Sequence, residues 1–158
     1  MEMLWAPWRI EYILNEKPAG CICCLPAEEV EDRENLVLCR TLRSFAMLNR
    51  YPYTNGHLMV SPLRHVGDIN QLTSEEMIDL FMLVRESCNA LKSAASPDGI
   101  NIGMNLGRAA GAGVEEHLHI HIVPRWNGDT NFMAVMADVR VMPENLQASY
   151  DRLKPLFA

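Results

Sequence analysis

No run of apolar residues in this chain of 158 residues approaches the roughly 20 that a membrane-spanning helix requires. The sequence therefore predicts no membrane association. Basic excess is missing too. Lys and Arg together number 14 against 20 Asp and Glu, a formal net charge of −6. That balance leaves no basic face for a nucleic acid polymer. It does not exclude a small phosphorylated ligand, because backbone amides and a few donors can hold a phosphate. Internal repeats and low-complexity tracts are absent. In the stretch Met1 to Arg9 no apolar core follows Glu2, so a secretory signal is not expected and the cytoplasm is the expected location. Cysteines number five, an odd count, with three of them at Cys21, Cys23 and Cys24. In a reducing compartment such a cluster indicates metal binding or redox chemistry before a disulfide framework.

What remains is ordinary globular material, 49% apolar and 22% charged, in a length that suits one domain over 1–158 with a hydrophobic core. Residues 1–20 read as an irregular arm with apolar anchors at Trp5, Trp8, Ile10, Tyr12 and Ile13, and 1–35 as an arm that carries the cysteine knuckle. Glu28 to Glu34 reads as an exposed acidic loop or short helix. Leu36–Cys39 and Phe45–Leu48 predict a β-hairpin, and Leu58–Val60 a third strand stopped by Pro62. Between the second and third strands, Tyr51-Pro52-Tyr53-Thr54-Asn55-Gly56 is a turn. A helix is predicted over 73–94, opened by a Thr73/Glu76 capping box. Met77, Leu80, Phe81, Val84, Cys88 and Leu91 fall on its core face. Ile100 to Leu106 alternates as a fourth strand, and Pro143 to Leu146 opens a terminal helix. The fold class is α+β: a mainly antiparallel sheet with one long helix and a C-terminal helix. Cys39 and Cys88 read as small core hydrophobes.

The densest chemical signal is His117-Leu118-His119-Ile120-His121, three of the five histidines in five residues. Histidine titrates near neutral pH, binds metals and can act as a nucleophile. The apolar flanks read as a strand, which places the three imidazoles on one face. Immediately upstream, Ala109 to Val114 contains Gly111 and Gly113, whose backbone can present N–H groups to an anion without a Cβ in the way.

Glu116 to Trp126 resembles the signature of the histidine triad proteins, His-x-His-x-His followed by apolar residues. Ser44 to Pro52 and Gly56 to Pro62 are similar to the nucleoside-side hairpin of that family, so the resemblance spans roughly residues 36–126. The N-terminal arm and the Asn127 to Phe132 tail are most similar to bacterial members described as diadenosine tetraphosphate phosphorylases or hydrolases. The resemblance implies the histidine triad fold and cleavage of a dinucleoside polyphosphate at its α-phosphorus. His119 would be the nucleophile that forms a nucleotidyl-imidazole, oriented by the main-chain carbonyl of His117. His121 would donate to phosphoryl or bridging oxygens. The amides of Gly113 and Val114, in the loop with Gly111, would stabilise the charge. Asn105 would contact phosphate, Asn49 the ribose hydroxyls, and His57 would support the triad. Water as acceptor gives hydrolysis and phosphate gives phosphorolysis, and the sequence does not choose between them.

Cys21-x-x-Cys24 alone is a zinc signal of intermediate strength. The resemblance implies a structural zinc held by Cys21, Cys24, His65 and His117, with Cys23 as an extra thiol that leaves the pairing open. It also implies a homodimer, with the long helix and a sheet edge near the two-fold axis. Apolar residues Phe132, Met133, Val135 and Met136 suit either core or interface. Three other readings compete. A nucleoside phosphoramidase would use the same histidine. A three-histidine metalloenzyme would bind its metal through the whole triad. A non-catalytic nucleotide-binding protein would keep ligand binding without His119.

Overall fold

The computed structural model describes residues 20–25, 31–129 and 144–157. The arm anchors between Trp5 and Ile13 and the apolar residues Phe132 to Met136 lie outside the described residues. The five strands are β1 (Val37–Arg40), β2 (Ser44–Leu48), β3 (Leu58–Pro62), β4 (Gly99–Met104) and β5 (Ile120–Arg125), with helices α1 (Ser74–Ala95) and α2 (Leu146–Leu153). They form one antiparallel sheet in the order β1-β2-β3-β5-β4. Among the described residues no helix is long and apolar enough to cross a membrane.

The alternation of each strand sorts the sheet into two faces. On one face Leu38, Ala46, Leu48, Leu58, Val60, Ile120 and Ile122 pack under Leu80, Leu83, Val84, Ala90 and Leu91 of α1 and Tyr150 and Leu153 of α2. Each large side chain removed from water here contributes about 1.5–3 kcal/mol, so this layer is the main source of rigidity. On the other face Val37, Phe45, Met47 and Met59 enclose Cys23 in a smaller cluster, with Cys21 and Leu25 packed against it. The cysteine knuckle and the histidines are thus on the face that α1 leaves uncovered.

The hairpin, third strand, fourth strand and both helices stand where the sequence places them. Two details differ. Phe81 is 54% exposed, while Leu83 and Ala90 are buried, because the buried row runs Leu80, Val84, Ser87, Leu91 and Phe81 lies one residue, about 100°, around the helix from Leu80. The histidine segment is regular strand only from Ile120; His117 lies in a bend, and Leu118 and His119 form a lead-in outside the strand pairing. Of the acidic stretch, Asp32 is buried and accepts from Arg40 Nε at 3.0 Å and Nη2 at 2.6 Å. Burial of a carboxylate requires such a partner.

The start of α1 couples to the site. Thr73 caps the helix through its side chain, and Glu76 returns a bond to the Thr73 N–H at 2.9 Å. The same Glu76 carboxylate takes a bidentate pair from Arg64, Nε and Nη2 each at 2.8 Å. Arg64 directly precedes His65. Those donations hold the Glu76 carboxyl at about 2 against an ordinary 4.5, with the Arg64 bonds the largest cause and the Thr73 amide next. A depressed carboxyl pKa contributes stability that is full above the unfolded value and lost as pH falls toward the folded one. Glu76→Gln is therefore expected to lower the thermal midpoint at pH 7 and to flatten the wild-type loss of stability between about pH 4.5 and 2. Thermal unfolding across that range checks it, and parallel curves for the two proteins would refute it.

Candidate active site and metal centre

The segment that carries the triad is fixed by its main chain. Leu118 N–H donates to the Val66 carbonyl at 2.7 Å, and the Leu118 carbonyl accepts from Ser61 Oγ at 2.6 Å. Downstream, β5 lies between β3 and β4, so that His121 is paired with Met59 on one side and Gly103 on the other. These contacts deliver His117, His119 and His121 to the uncovered face.

His117 is fully buried. Its Nε2 stands 2.8 Å from the Pro62 carbonyl. A carbonyl only accepts, so the Nε2 carries the proton and Nδ1 is left as a lone-pair donor. That Nδ1 faces Cys21 Sγ at 3.4 Å and Cys24 Sγ at 3.6 Å, and Cys24 Sγ lies 3.2 Å from His65 Nδ1. Burial pushes the His117 pKa down, which favours the neutral ring that a metal needs.

The ligand atoms of Cys21, Cys24, His65 and His117 all lie within 4.8 Å of one another. A tetrahedral ion with sulfur at ~2.3 Å and nitrogen at ~2.0 Å separates a sulfur–nitrogen pair by roughly 3.5 Å, and the observed separations fall around that value. The four side chains therefore fit a metal ion of this type. Cys24 N–H donates to the Cys21 carbonyl at 3.0 Å, which closes the knuckle. Cys23 points away into the apolar cluster and is buried, and that burial raises its thiol pKa to about 12. Its position removes it from the ligand set.

His119 uses the same carbonyl logic with the opposite nitrogen. Its Nδ1 stands 2.9 Å from the His117 carbonyl, so in the neutral ring Nδ1 is protonated and Nε2 is not. The ring is buried and meets His121 edge-on, centroids 5.0 Å apart.

His121 belongs to a second chain that starts from a backbone donor. The Tyr53 N–H donates to His57 Nδ1 at 3.1 Å, and His57 Nε2 stands 2.9 Å from His121 Nδ1. An amide can only donate. His57 therefore accepts at Nδ1, carries its proton on Nε2 and passes a hydrogen bond to His121 Nδ1, which leaves the His121 proton on Nε2. Tyr53 stacks on the buried His57 ring at 4.7 Å between centroids. Asn49 supports this chain: its Nδ2 is 3.4 Å from His57 Nδ1 and its Oδ1 accepts from Tyr51 N–H at 2.8 Å.

The loop between β4 and β5 carries the other expected residues. Gly107 and Gly111 have φ of +79° and +86°, values that a side chain disfavours. They bracket a short 3₁₀ turn at Arg108–Ala110. Asn105 Nδ2 reaches the Gly111 carbonyl at 3.4 Å. Gly113 and Val114 follow, half-buried, just before the lead-in. Thus His57, His119 and His121 form one connected group, Asn49 touches it, and Cys21, Cys24, His65 and His117 form a second group joined to the first by the His117 residue. Asn105 and Gly111 touch each other. Sequence reasoning missed Tyr53, Ser61 and the Pro62 carbonyl because main-chain partners and a lone serine carry no residue-type signature. It also missed the second task of Glu76, which the capping box concealed.

The HIT domain family model matches residues 31–128. A protein of Mycobacterium tuberculosis named AP-4-A phosphorylase is 36% identical over 157 residues, which is 93% of this chain and 80% of that one. A bis(5'-adenosyl)-triphosphatase of Dictyostelium discoideum is 31% identical over 79% of this chain and 87% of its own. Among solved structures, a hypothetical histidine triad nucleotide-binding protein of Sulfolobus tokodaii superposes with a TM-score of 0.64 at 28% identity, covering 86% of this chain and 88% of that one. The extent of the family match and of these similarities shows that this chain belongs to the HIT domain family.

Proposed function

We propose that this protein cleaves dinucleoside polyphosphates of the diadenosine tetraphosphate type at the α-phosphorus, through a nucleotidyl-histidine on His119. The observation that carries the reading is the His119 Nδ1 bond to the His117 carbonyl, which assigns the unprotonated Nε2 to attack. In the first step His119 Nε2 forms a bond to the α-phosphorus, and the bond from that phosphorus to the bridging oxygen breaks. The leaving polyphosphate takes the proton from His121 Nε2. In the second step an acceptor oxygen attacks the same phosphorus, the P–N bond breaks, and His121 recovers its proton from the acceptor. Splitting one displacement in two gives each step a good nucleophile and a stabilised leaving group. The Gly113 and Val114 amides stabilise charge on the phosphoryl oxygens, with Gly111 and Asn105 shaping their loop. Asn49 binds the ribose, and His57 holds the His121 tautomer. Phosphate is the preferred acceptor in this reading, supported by the phosphorylase name of a relative that matches 93% of this chain.

The metal in this reading is zinc, which Cys21, Cys24, His65 and His117 would hold as a structural ion. It would supply rigidity and take no part in bond making. The chain acts as one HIT domain, and two copies associate through α1 and the β4 edge. Ile78, Phe81 and Met82 on α1 and Ile102 on β4 are exposed apolar side chains, and β4 ends the sheet. None of the five cysteines is in a disulfide, which suits the cytoplasm.

Incubation with diadenosine tetraphosphate, with and without phosphate, separates the outcomes. ADP plus ATP formed only with phosphate supports phosphorolysis; AMP plus ATP with water indicates hydrolysis. Rapid cleavage of an AMP–amine with no turnover of any dinucleotide overturns the substrate. His119→Ala is expected to lower the rate by roughly three orders of magnitude or more. His121→Ala is expected to cost roughly 10²–10⁴ with a polyphosphate leaving group, and less with a nitrophenyl ester, which needs no proton. Equal losses on both would contradict its role as acid.

Metal analysis of protein purified without chelator is expected to give one zinc per chain. His65→Ala is expected to lower the metal affinity and the thermal midpoint, and Cys23→Ala to keep the stoichiometry. Retained stoichiometric zinc in a Cys21→Ala/Cys24→Ala double variant would refute the site.

A further inference from the structure

Gly67 is not a turn glycine: its φ is not among the positive values of this chain. It is required for a different reason. A Cβ built on it would lie 2.7 Å from the Glu115 carbonyl oxygen, 3.0 Å from Glu116 Cα and 3.1 Å from Glu116 C. The first of these is closer than real Cβ contacts come, and all three atoms are main chain, which cannot rotate away as a side-chain tip could. The backbone at Gly67 therefore rests directly on the backbone one residue before His117.

We infer that Gly67 is a positioning residue for the nucleophile: its missing side chain lets the segment 61–67 close on 115–118 and so sets where the His117 carbonyl points. Four contacts make up this closure. Ser61 Oγ donates to the Leu118 carbonyl, His117 Nε2 donates to the Pro62 carbonyl, Leu118 N–H donates to the Val66 carbonyl, and Gly67 packs against Glu115 and Glu116. Three are hydrogen bonds with directional tolerance. The fourth is an approach at the upstream end of the clamp that leaves no room for a Cβ, so a side chain there would limit the closure. The His117 carbonyl is the acceptor for His119 Nδ1, so a shift of the segment reaches the nucleophile through one peptide unit. The same closure brings His65, two residues before Gly67, against Cys24 and His117. Added bulk at Gly67 would open the clamp from the glycine-loop side, tilt the carbonyl and release the His119 tautomer, while Asn49, on the turn after β2, keeps its place.

The kinetic part of this inference rests on the proposed function, and the spectroscopic part does not. The test compares wild type, Gly67→Ala, Ser61→Ala and the control Leu42→Ala, at a side chain 84% exposed in the turn between β1 and β2. Nitrogen NMR of the His119 ring reads the population protonated at Nδ1, steady-state cleavage of diadenosine tetraphosphate reads kcat and KM, and thermal unfolding reads folding. In folded Gly67→Ala the Nδ1-protonated population of His119 falls and kcat drops roughly tenfold or more, as misplacement of a reacting group by about an ångström costs, while KM changes little. Leu42→Ala matches wild type. A folded Gly67→Ala with the wild-type His119 spectrum and kcat overturns the inference. Should Gly67→Ala fail to fold, Ser61→Ala, which loosens the same clamp without adding an atom, decides: a shifted His119 spectrum supports the inference and an unshifted one overturns it. If wild type cleaves no dinucleotide, the proposed function falls and the His119 spectra still decide the role of Gly67.

Discussion

The hydrogen bond from His119 Nδ1 to the His117 carbonyl, 2.9 Å long, is the constraint on which the rest of the site depends. Its net worth in stability is about 1 kcal/mol, too little to orient a ring unless the acceptor is itself immobile. The acceptor is immobile because the peptide around it is held from every side. The His117 ring is buried and bonded to Pro62, its other nitrogen faces the cysteine pair, and Leu118 is bonded through both its N–H and its carbonyl. A long helix packed under the sheet fixes the strands that carry these partners. The hydrophobic face thus supplies rigidity, and the opposite face uses it.

Two backbone groups of opposite polarity divide the chemical roles. A carbonyl acceptor beside His119 puts the proton on Nδ1 and leaves Nε2 able to attack. An amide donor at Tyr53, relayed through His57, puts the proton of His121 on Nε2 and makes it able to donate. In the proposed reaction the nucleophile and the acid are told apart by which main-chain atom each ring meets, and the side chains of Cys21, Cys24 and His65 gather around the residue that presents the first of those atoms.

Much of this was legible in the sequence. The strands around Phe45 and Leu58, the long helix with its Thr73 cap, and the opening of the final helix within Pro143 to Leu146 follow from periodicity, capping and turn chemistry, which are local. The convergence of Cys21, Cys24, His65 and His117, 96 residues apart at the extremes, was expected from the family resemblance and could not have come from spacing. Phe81 was misplaced because one apolar residue beside a core stripe satisfies the same helical period from outside. Gly67, Ser61 and Tyr53 were silent because their work is done by a missing atom, a single hydroxyl and a backbone N–H, none of which marks a sequence. Asp32 read as part of an acidic loop, since the arginine that allows its burial, Arg40, belongs to the neighbouring strand.

The central claim is that the nucleotidyl group passes through His119. Rapid quenching during turnover of labelled diadenosine tetraphosphate, followed by peptide mapping under alkaline conditions where a phosphoramidate survives, tests it most directly. The account predicts one labelled peptide, carrying a nucleotidyl group on His119 that is lost in mild acid. A label on another residue, or full turnover with no covalent adduct at any quench time, would contradict it.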